Sequence, residues 1–315
     1  MQGQVYRSTG SWYVVKVGDS FYDCKMKGKI RLKGLKTTNP VAVGDHVDIE
    51  LEQKGDQTLG LIKNIHDRKN YIIRRSVKLS KQVQIVAANI DQVFLMITLN
   101  NPPTSTTFID RYLVAAEAYG IPVRLLFNKL DSYDMDDFAE MKFLADTYRE
   151  IGYTCVGTSV VEDRNIDKVE ELMKDKTSLF AGHSGVGKSS LINLIAPELE
   201  LSVKEISEQH IQGKHTTTFA EMFDLDIGAK IIDSPGIKGF GLVEFDDQEI
   251  ADYFPEFNEH QQDCKFNNCL HDKEPKCAVK KAVEADQIPY FRYQSYLKIL
   301  HSEEDTYRKD IHHQK

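Results

Sequence analysis

The chain has 315 residues, 41% of them hydrophobic, and a formal net charge of −8. Such a length accommodates two or three domains with packed cores, and the acidic balance argues against a protein that holds nucleic acid by its overall charge. No run approaches the ~18 apolar residues of a membrane span, and the opening MQGQVYRSTGSWYVV lacks the apolar centre of a signal peptide.

A cytoplasmic setting is therefore expected, in which the five cysteines stay reduced. Over residues 1–72 the segments SWYVVKV, SFYDCKM, KIRLKGL, DHVDIEL and TLGLIKNI are short and separated by Gly, Asn, Pro and Asp. This spacing predicts a small all-β barrel of the OB type, a fold whose strand face and loops often bind oligonucleotides. Two basic runs, KMKGKIRLKGLK (25–36) and RKNYIIRRSVKLSK (68–81), contrast with the acidic DSYDMDDFAE (131–140). As a local face such a run binds phosphate whatever the total charge, because screening leaves only nearby charges effective; otherwise it is a solvated surface.

Past residue 82 the rhythm changes. DQVFLMITL (91–99) predicts a strand, TFIDRYLVAAEAYG (107–120) a helix, PVRLLFNKLD a strand and FAEMKFLADTYREIG (138–152) a helix. CVGTS then predicts a strand, NIDKVEELMKD a helix, and SLFAG a strand that leads into another helix. Buried strands alternating with helices predict a doubly wound parallel α/β domain over 82–244.

The motifs within that domain carry the chemistry. N-K-L-D, Asn128 to Asp131, ends an apolar strand. The Asp131 carboxylate can accept from both guanine N1–H and the exocyclic amine, a donor pair that adenine lacks. Asn128 would hold neighbouring loops, the stem of Lys129 would cover the base, and Leu130 completes the turn. In Thr158-Ser159-Val160, a backbone contact at Ser159 is the candidate for guanine O6.

GHSGVGKSS (182–190) fits the phosphate-loop pattern G-x-x-x-x-G-K-[ST]. Gly182, Gly185 and Gly187 let backbone N–H groups approach phosphate oxygens, with His183, Ser184 and Val186 filling the loop between them. Lys188 supplies a cation for the β- and γ-phosphates. Ser189 offers a hydroxyl to Mg²⁺, and Ser190 continues the helix start. In DSPG (233–236), Asp233 would hold Mg²⁺ through its water shell, and the Gly236 N–H would sense the γ-phosphate. In GKHTTT (213–218), Thr217 or a neighbour, Thr216 or Thr218, would complete the Mg²⁺ shell. The usual water-orienting glutamine is replaced by Ile237, which leaves His215 as the candidate for placing the attacking water.

Residues 245–315 contain Cys264-x4-Cys269-x-His271-x5-Cys277, followed by predicted helices through PYFRYQSYLKILHSEEDTYRKD. Three thiolates and one imidazole make a closed tetrahedral set suited to one structural zinc. Lys265, Lys273, Lys276, Lys280 and Lys281 make this module a candidate RNA contact. Cys24 and Cys155 read as ordinary buried cysteines.

A conventional GTPase runs phosphate loop, switch threonine, D-x-x-G, N-K-x-D and serine loop. Here N-K-L-D and T-S-V come first, so the cycle is intact but cut elsewhere, and residues 82–178 are the base-binding half of the domain. In these motifs, their permuted order, the barrel and the terminal Cys/His cluster, nearly the whole chain resembles the circularly permuted GTPases of the RsgA family (also called YjeQ or EngC). The resemblance implies an RNA-binding OB-fold, a GTPase domain and a zinc-binding C-terminal domain. It further implies late maturation of the small (30S) ribosomal subunit, with rRNA as partner and GTP hydrolysis to GDP as the switch for binding and release. A monomer is expected, since nothing demands a dimer. Two competitors stand beside this: a P-loop ATPase or small-molecule kinase, opposed by Asn128 and Asp131, and an RNA-binding assembly protein that keeps GTP as a structural ligand.

Overall fold

A computed structural model describes residues 1–27, 39–54, 57–75, 83–199, 220–233 and 246–301. The expected barrel strand KIRLKGL lies outside the described residues.

The first 65 residues build strands β1 (Gln2–Ser8), β2 (Tyr13–Val17), β3 (Ser20–Met26), β4 (His46–Lys54) and β5 (Gln57–Ile65). They run in the order β1-β2-β3-β5-β4, and β4 returns to pair with β1, which closes a five-stranded barrel. Its core is Val5, Tyr13, Val15, Cys24, Val41, Val47, Ile49 and Ile62. Four of these strands match the alternating segments of the sequence; β1 does not. Gln4, Val5 and Tyr6 are consecutive buried residues, because Val5 faces the barrel core and Tyr6 faces the core of the α/β unit. A strand covered on both sides carries no alternation. A hairpin of β6 (Tyr71–Arg75) and β7 (Val83–Ala88) follows, its first strand within what reads in sequence as a basic run.

The α/β unit contains β8 (Gln92–Ile97), β9 (Val123–Phe127), β10 (Thr154–Gly157), β11 (Thr177–Ala181), β12 (Glu221–Asp224) and β13 (Lys230–Asp233). Their order is β10-β9-β8-β11-β13-β12; the first five are parallel and β12 is antiparallel. Helices α1 (Thr106–Ala118) and α2 (Met135–Ile151) cover one face, and α3 (Ile166–Met173) and α4 (Lys188–Ile195) the other. Strand β8 is buried along its whole length: Val93, Leu95 and Ile97 enter one core, Phe94 and Met96 the other. Local signals set the helix starts. Ser105 caps α1 by accepting from the Phe108 N–H, and Asp134 and Asp137 form a reciprocal capping box on α2.

Arg7 of β1 pairs with Glu221 of β12, so the barrel and the α/β unit share one 11-stranded sheet. The C-terminal residues form α5 (Asp247–Ile250), α6 (Pro255–Asn258), α7 (Ala278–Glu284) and α8 (Tyr290–Leu300). Their core of Phe254, Phe257, Val279, Tyr296 and Ile299 also takes in Val114 of α1. Among the described residues, no helix is long and apolar enough to cross a membrane.

Candidate nucleotide site and metal centre

The guanine and phosphate motifs follow the C-terminal ends of adjacent parallel strands: N-K-L-D after β9, T-S-V after β10 and the phosphate loop after β11. That edge is where open parallel sheets bind ligands. Asn128, 1% exposed, ties the three together. Its Nδ2 donates to the Val186 carbonyl in the phosphate loop at 2.8 Å, and its Oδ1 accepts from Thr158 Oγ1 at 3.0 Å. Both ends of the amide are spent on protein, so Asn128 positions loops and leaves the base to others. Asp131 Oδ1 accepts from Ser159 Oγ at 2.5 Å, which fixes the carboxylate while leaving it further acceptor capacity. Lys129 lies in the left-handed region (φ 66°), and its Nζ donates to the Asn101 carbonyl at 2.6 Å. Leu130 is buried against Gly157.

The phosphate loop is built on close approach. Gly187 has φ +99°, and a Cβ there would come within 2.5 Å of Asn128 Nδ2; at Gly182 (φ +138°) it would meet the Met96 carbonyl at 2.6 Å. Only glycine fits such positions. Lys188 Nζ donates to the carbonyls of Gly182 at 2.8 Å and His183 at 2.6 Å, so its ammonium lies against the loop. Ser189, 6% exposed, sits in the first turn of α4, followed by Ser190. Asp233 ends β13 directly beside β11.

Cys264, Cys269, His271 and Cys277 bring one ligand atom each to within 4.8 Å of one another. His271 Nδ1 lies 3.3 Å from Cys277 Sγ and 3.6 Å from Cys264 Sγ, and the two sulfurs are 3.9 Å apart. Ligands ~2.1–2.3 Å from a tetrahedral zinc lie roughly 3.5–3.8 Å from each other, so the set fits that ion. Burial holds the His271 imidazole below its usual basicity, in the neutral form that a metal takes. Backbone N–H groups of Ala278 and Lys280 donate to Cys264 and Cys277 sulfur, which fixes the two sulfurs in the cluster.

Comparison with known proteins agrees with this geometry. Residues 65–243 match the family model described as RsgA GTPase, and residues 2–61 match the RsgA N-terminal domain. The chain belongs to the RsgA GTPase family. A relative from Christiangramia forsetii, named small ribosomal subunit biogenesis GTPase RsgA, is 61% identical over 98% of this chain and 99% of its own. The similarly named protein of Bacteroides fragilis is 52% identical over 97% and 98%. YjeQ from Thermotoga maritima superposes with a TM-score of 0.77 at 34% identity, covering 96% of this chain and 97% of that one. YloQ, a circularly permuted GTPase, gives 0.71 at 30% identity, covering 96% and 94%. The permuted motif order of this chain is thus shared with YloQ.

Of the expected site residues, His215, Thr216, Thr217, Thr218 and Gly236 lie outside the described residues, as does Ile237. Two contributors escaped the sequence. Thr158 holds Asn128 through its hydroxyl, although only a backbone role was read in that loop. Phe108 of α1 lies against His183 of the phosphate loop, with ring centroids 3.8 Å apart. In sequence Phe108 is one more apolar residue of an amphipathic helix, and nothing marks it as a loop contact.

Proposed function

We propose that this chain is a Mg²⁺-dependent GTP hydrolase that acts in late maturation of the small ribosomal subunit, binding rRNA and using hydrolysis to GDP as its release signal. The observation that carries this is Asn128, buried and bonded to both the phosphate loop and the T-S-V turn, with Asp131 fixed beside it by Ser159. The names of the relatives supply the subunit.

In this reading Asp131 selects guanine, and the loop amides of 182–189 cradle the phosphates. Lys188 exchanges the Gly182 and His183 carbonyls for the β- and γ-phosphate oxygens. Ser189, Asp233 and one of the threonines around Thr217 hold Mg²⁺, which neutralises charge on those oxygens when bound. Gly236 senses the γ-phosphate, and His215 orients the attacking water. The Cys264/Cys269/His271/Cys277 set holds one structural zinc, and the exposed Lys265, Lys273, Lys276 and Lys281 around it offer a contact for rRNA phosphates.

Turnover by the isolated protein should be slow, on the order of 10⁻³ to 10⁻² per second, as in switches that no arginine finger assists. The test is hydrolysis of GTP and ATP by purified protein, with and without small ribosomal subunits. GTP-selective turnover that rises sharply with subunits is expected. Equal use of ATP would overturn the guanine assignment, and turnover indifferent to subunits would overturn the partner.

A further inference from the structure

The C-terminal module meets the nucleotide-binding unit along α1 and α8, with Phe291 of α8 also packed on Phe143 and Tyr148 of α2, and the contacts between α1 and α8 lead from the Cys/His cluster to the phosphate loop. At the cluster end, two tyrosines of α8 hold its backbone: Tyr293 Oη donates to the His271 carbonyl at 2.7 Å and Tyr296 Oη to the Leu270 carbonyl at 2.6 Å. Both rings share a core with Cys277.

In the middle, the fully buried Arg292 of α8 donates to Asp110 Oδ1 of α1 at 2.6 Å and grips Glu256 through Nε at 2.6 Å and Nη2 at 3.1 Å. Tyr148 Oη donates to the same Asp110 oxygen at 2.7 Å. Burial works against the guanidinium charge, but Asp110 and Glu256 outweigh it and hold Arg292 protonated. No water replaces these bonds at a buried site, so parting the helices strands a charge, and the two move as one. Val114, one turn beyond Asp110 on α1, is embedded in the same C-terminal core. Lys298 Nζ donates to Thr107 Oγ1 at 3.3 Å near the start of α1. There, at the loop end, Phe108 packs on His183, whose carbonyl receives Lys188 Nζ.

We propose that α1 and α8 form a strut through which metal occupancy of the Cys264/Cys269/His271/Cys277 cluster sets the rate of nucleotide release, with Arg292 and Phe108 as its positioning residues. The strut rests on the zinc and guanine-nucleotide sites proposed above. With metal bound, the cluster backbone is fixed, Tyr293 and Tyr296 anchor α8, Arg292 carries that position to Asp110, and Phe108 braces His183 and the loop. Metal loss frees the far end and loosens the near one.

The experiment measures release of a fluorescent GDP analogue from the full chain by stopped flow, zinc-loaded or stripped by chelator, with zinc per chain quantified in each sample. Stripping the wild type should speed release about fivefold or more, within the usual range of coupling between sites. Phe108→Leu keeps an apolar side chain but removes the ring; it should still bind one zinc and GDP, with release changing by less than about twofold on stripping. Arg292→Lys, if it folds, should show the same uncoupling, and Phe108→Leu decides the matter if it does not. Wild-type release indifferent to metal, or a full response retained in Phe108→Leu, would overturn the strut while leaving both sites standing. A chain that binds no zinc or no GDP would overturn the sites, and the strut with them.

Discussion

Asn128 and Asp131 lie within one turn of chain yet divide their work cleanly. The first spends its amide on Val186 and Thr158, and the second is held by Ser159 with acceptor capacity to spare. On the proposed reading base selection falls to Asp131, and its chemistry makes a specific prediction. In Asp131→Asn the amide oxygen still accepts from the purine N1–H, but the new N–H now faces the guanine amine as donor against donor. Xanthine carries a carbonyl at that position and would accept. GDP affinity should fall by about two or more orders of magnitude, and xanthosine diphosphate should become the better competitor against a fluorescent nucleotide. If GDP stays the better competitor, the selecting group lies elsewhere. Asn128→Ala should behave differently. It strands the buried Val186 carbonyl and Thr158 hydroxyl and costs about 1–3 kcal/mol for each group left unpaired, a loss of stability rather than a change of base.

At the scale of elements, the joint between the barrel and the α/β unit is the pairing of β1 with β12, flanked by the Arg7–Glu221 ion pair and by a second charged contact at Asp224. Asp224 at the end of β12 accepts from Tyr6 Oη and from Lys16 Nζ, both at 2.5 Å. Burial, then the hydrogen bond and charge of Asp224, push the Tyr6 hydroxyl well above its usual range and keep it a donor. For Asp224, partial burial acts to raise the carboxyl, but Lys16 and Tyr6 prevail and hold it below the usual range. A lowered folded-state value means that the contact stabilises above the unfolded pKa of about 3.9 and is lost as pH falls through the folded value. Asp224→Asn should therefore cost at most about 1 kcal/mol at pH 7, since the carboxylate is partly exposed and screened. The gap in urea midpoint between variant and wild type should narrow as pH falls below about 4; a gap constant on acidification would mean that the charge contributes nothing. This joint is also where the sequence was least legible. β2 to β5, α1 to α4 and the three motif loops show in the chain because one-sided burial leaves a period and because glycine, lysine and asparagine are forced by close approach. β1 and β12 show no period, since both lie between two cores or at a seam, and Tyr6 and Asp224 meet only after 218 residues of intervening chain. Phe108 is silent for the same reason: its partner His183 is defined by the tertiary fold alone.

Across the whole molecule, the three parts are joined by means that differ in what they require. The barrel and the α/β unit share a continuous sheet and the Tyr6 core contact, so they need no ligand to stay together. Among the described residues the helices of the C-terminal module are short, α5 and α6 being four residues each, α7 seven and α8 eleven, and helices of that length do not persist on their own. Its stability comes from a small core, and the zinc proposed above would add a cross-link over residues 264 to 277; structural zinc contributes on the order of 10 kcal/mol. Removing the metal from the full chain should therefore split unfolding into two calorimetric transitions. The first, at lower temperature, would report the C-terminal module through loss of near-ultraviolet dichroism from Tyr293 and Tyr296. The second would report the barrel and α/β unit, at a midpoint lowered by the loss of Arg292 from Asp110, and remain sensitive to added GDP, since bound ligand stabilises only the part that holds it. Re-addition of zinc should merge the two. A single transition that shifts as a block on chelation would instead show that the Arg292–Asp110 pair and Val114 bind the module so firmly to α1 that the metal stabilises the whole chain at once.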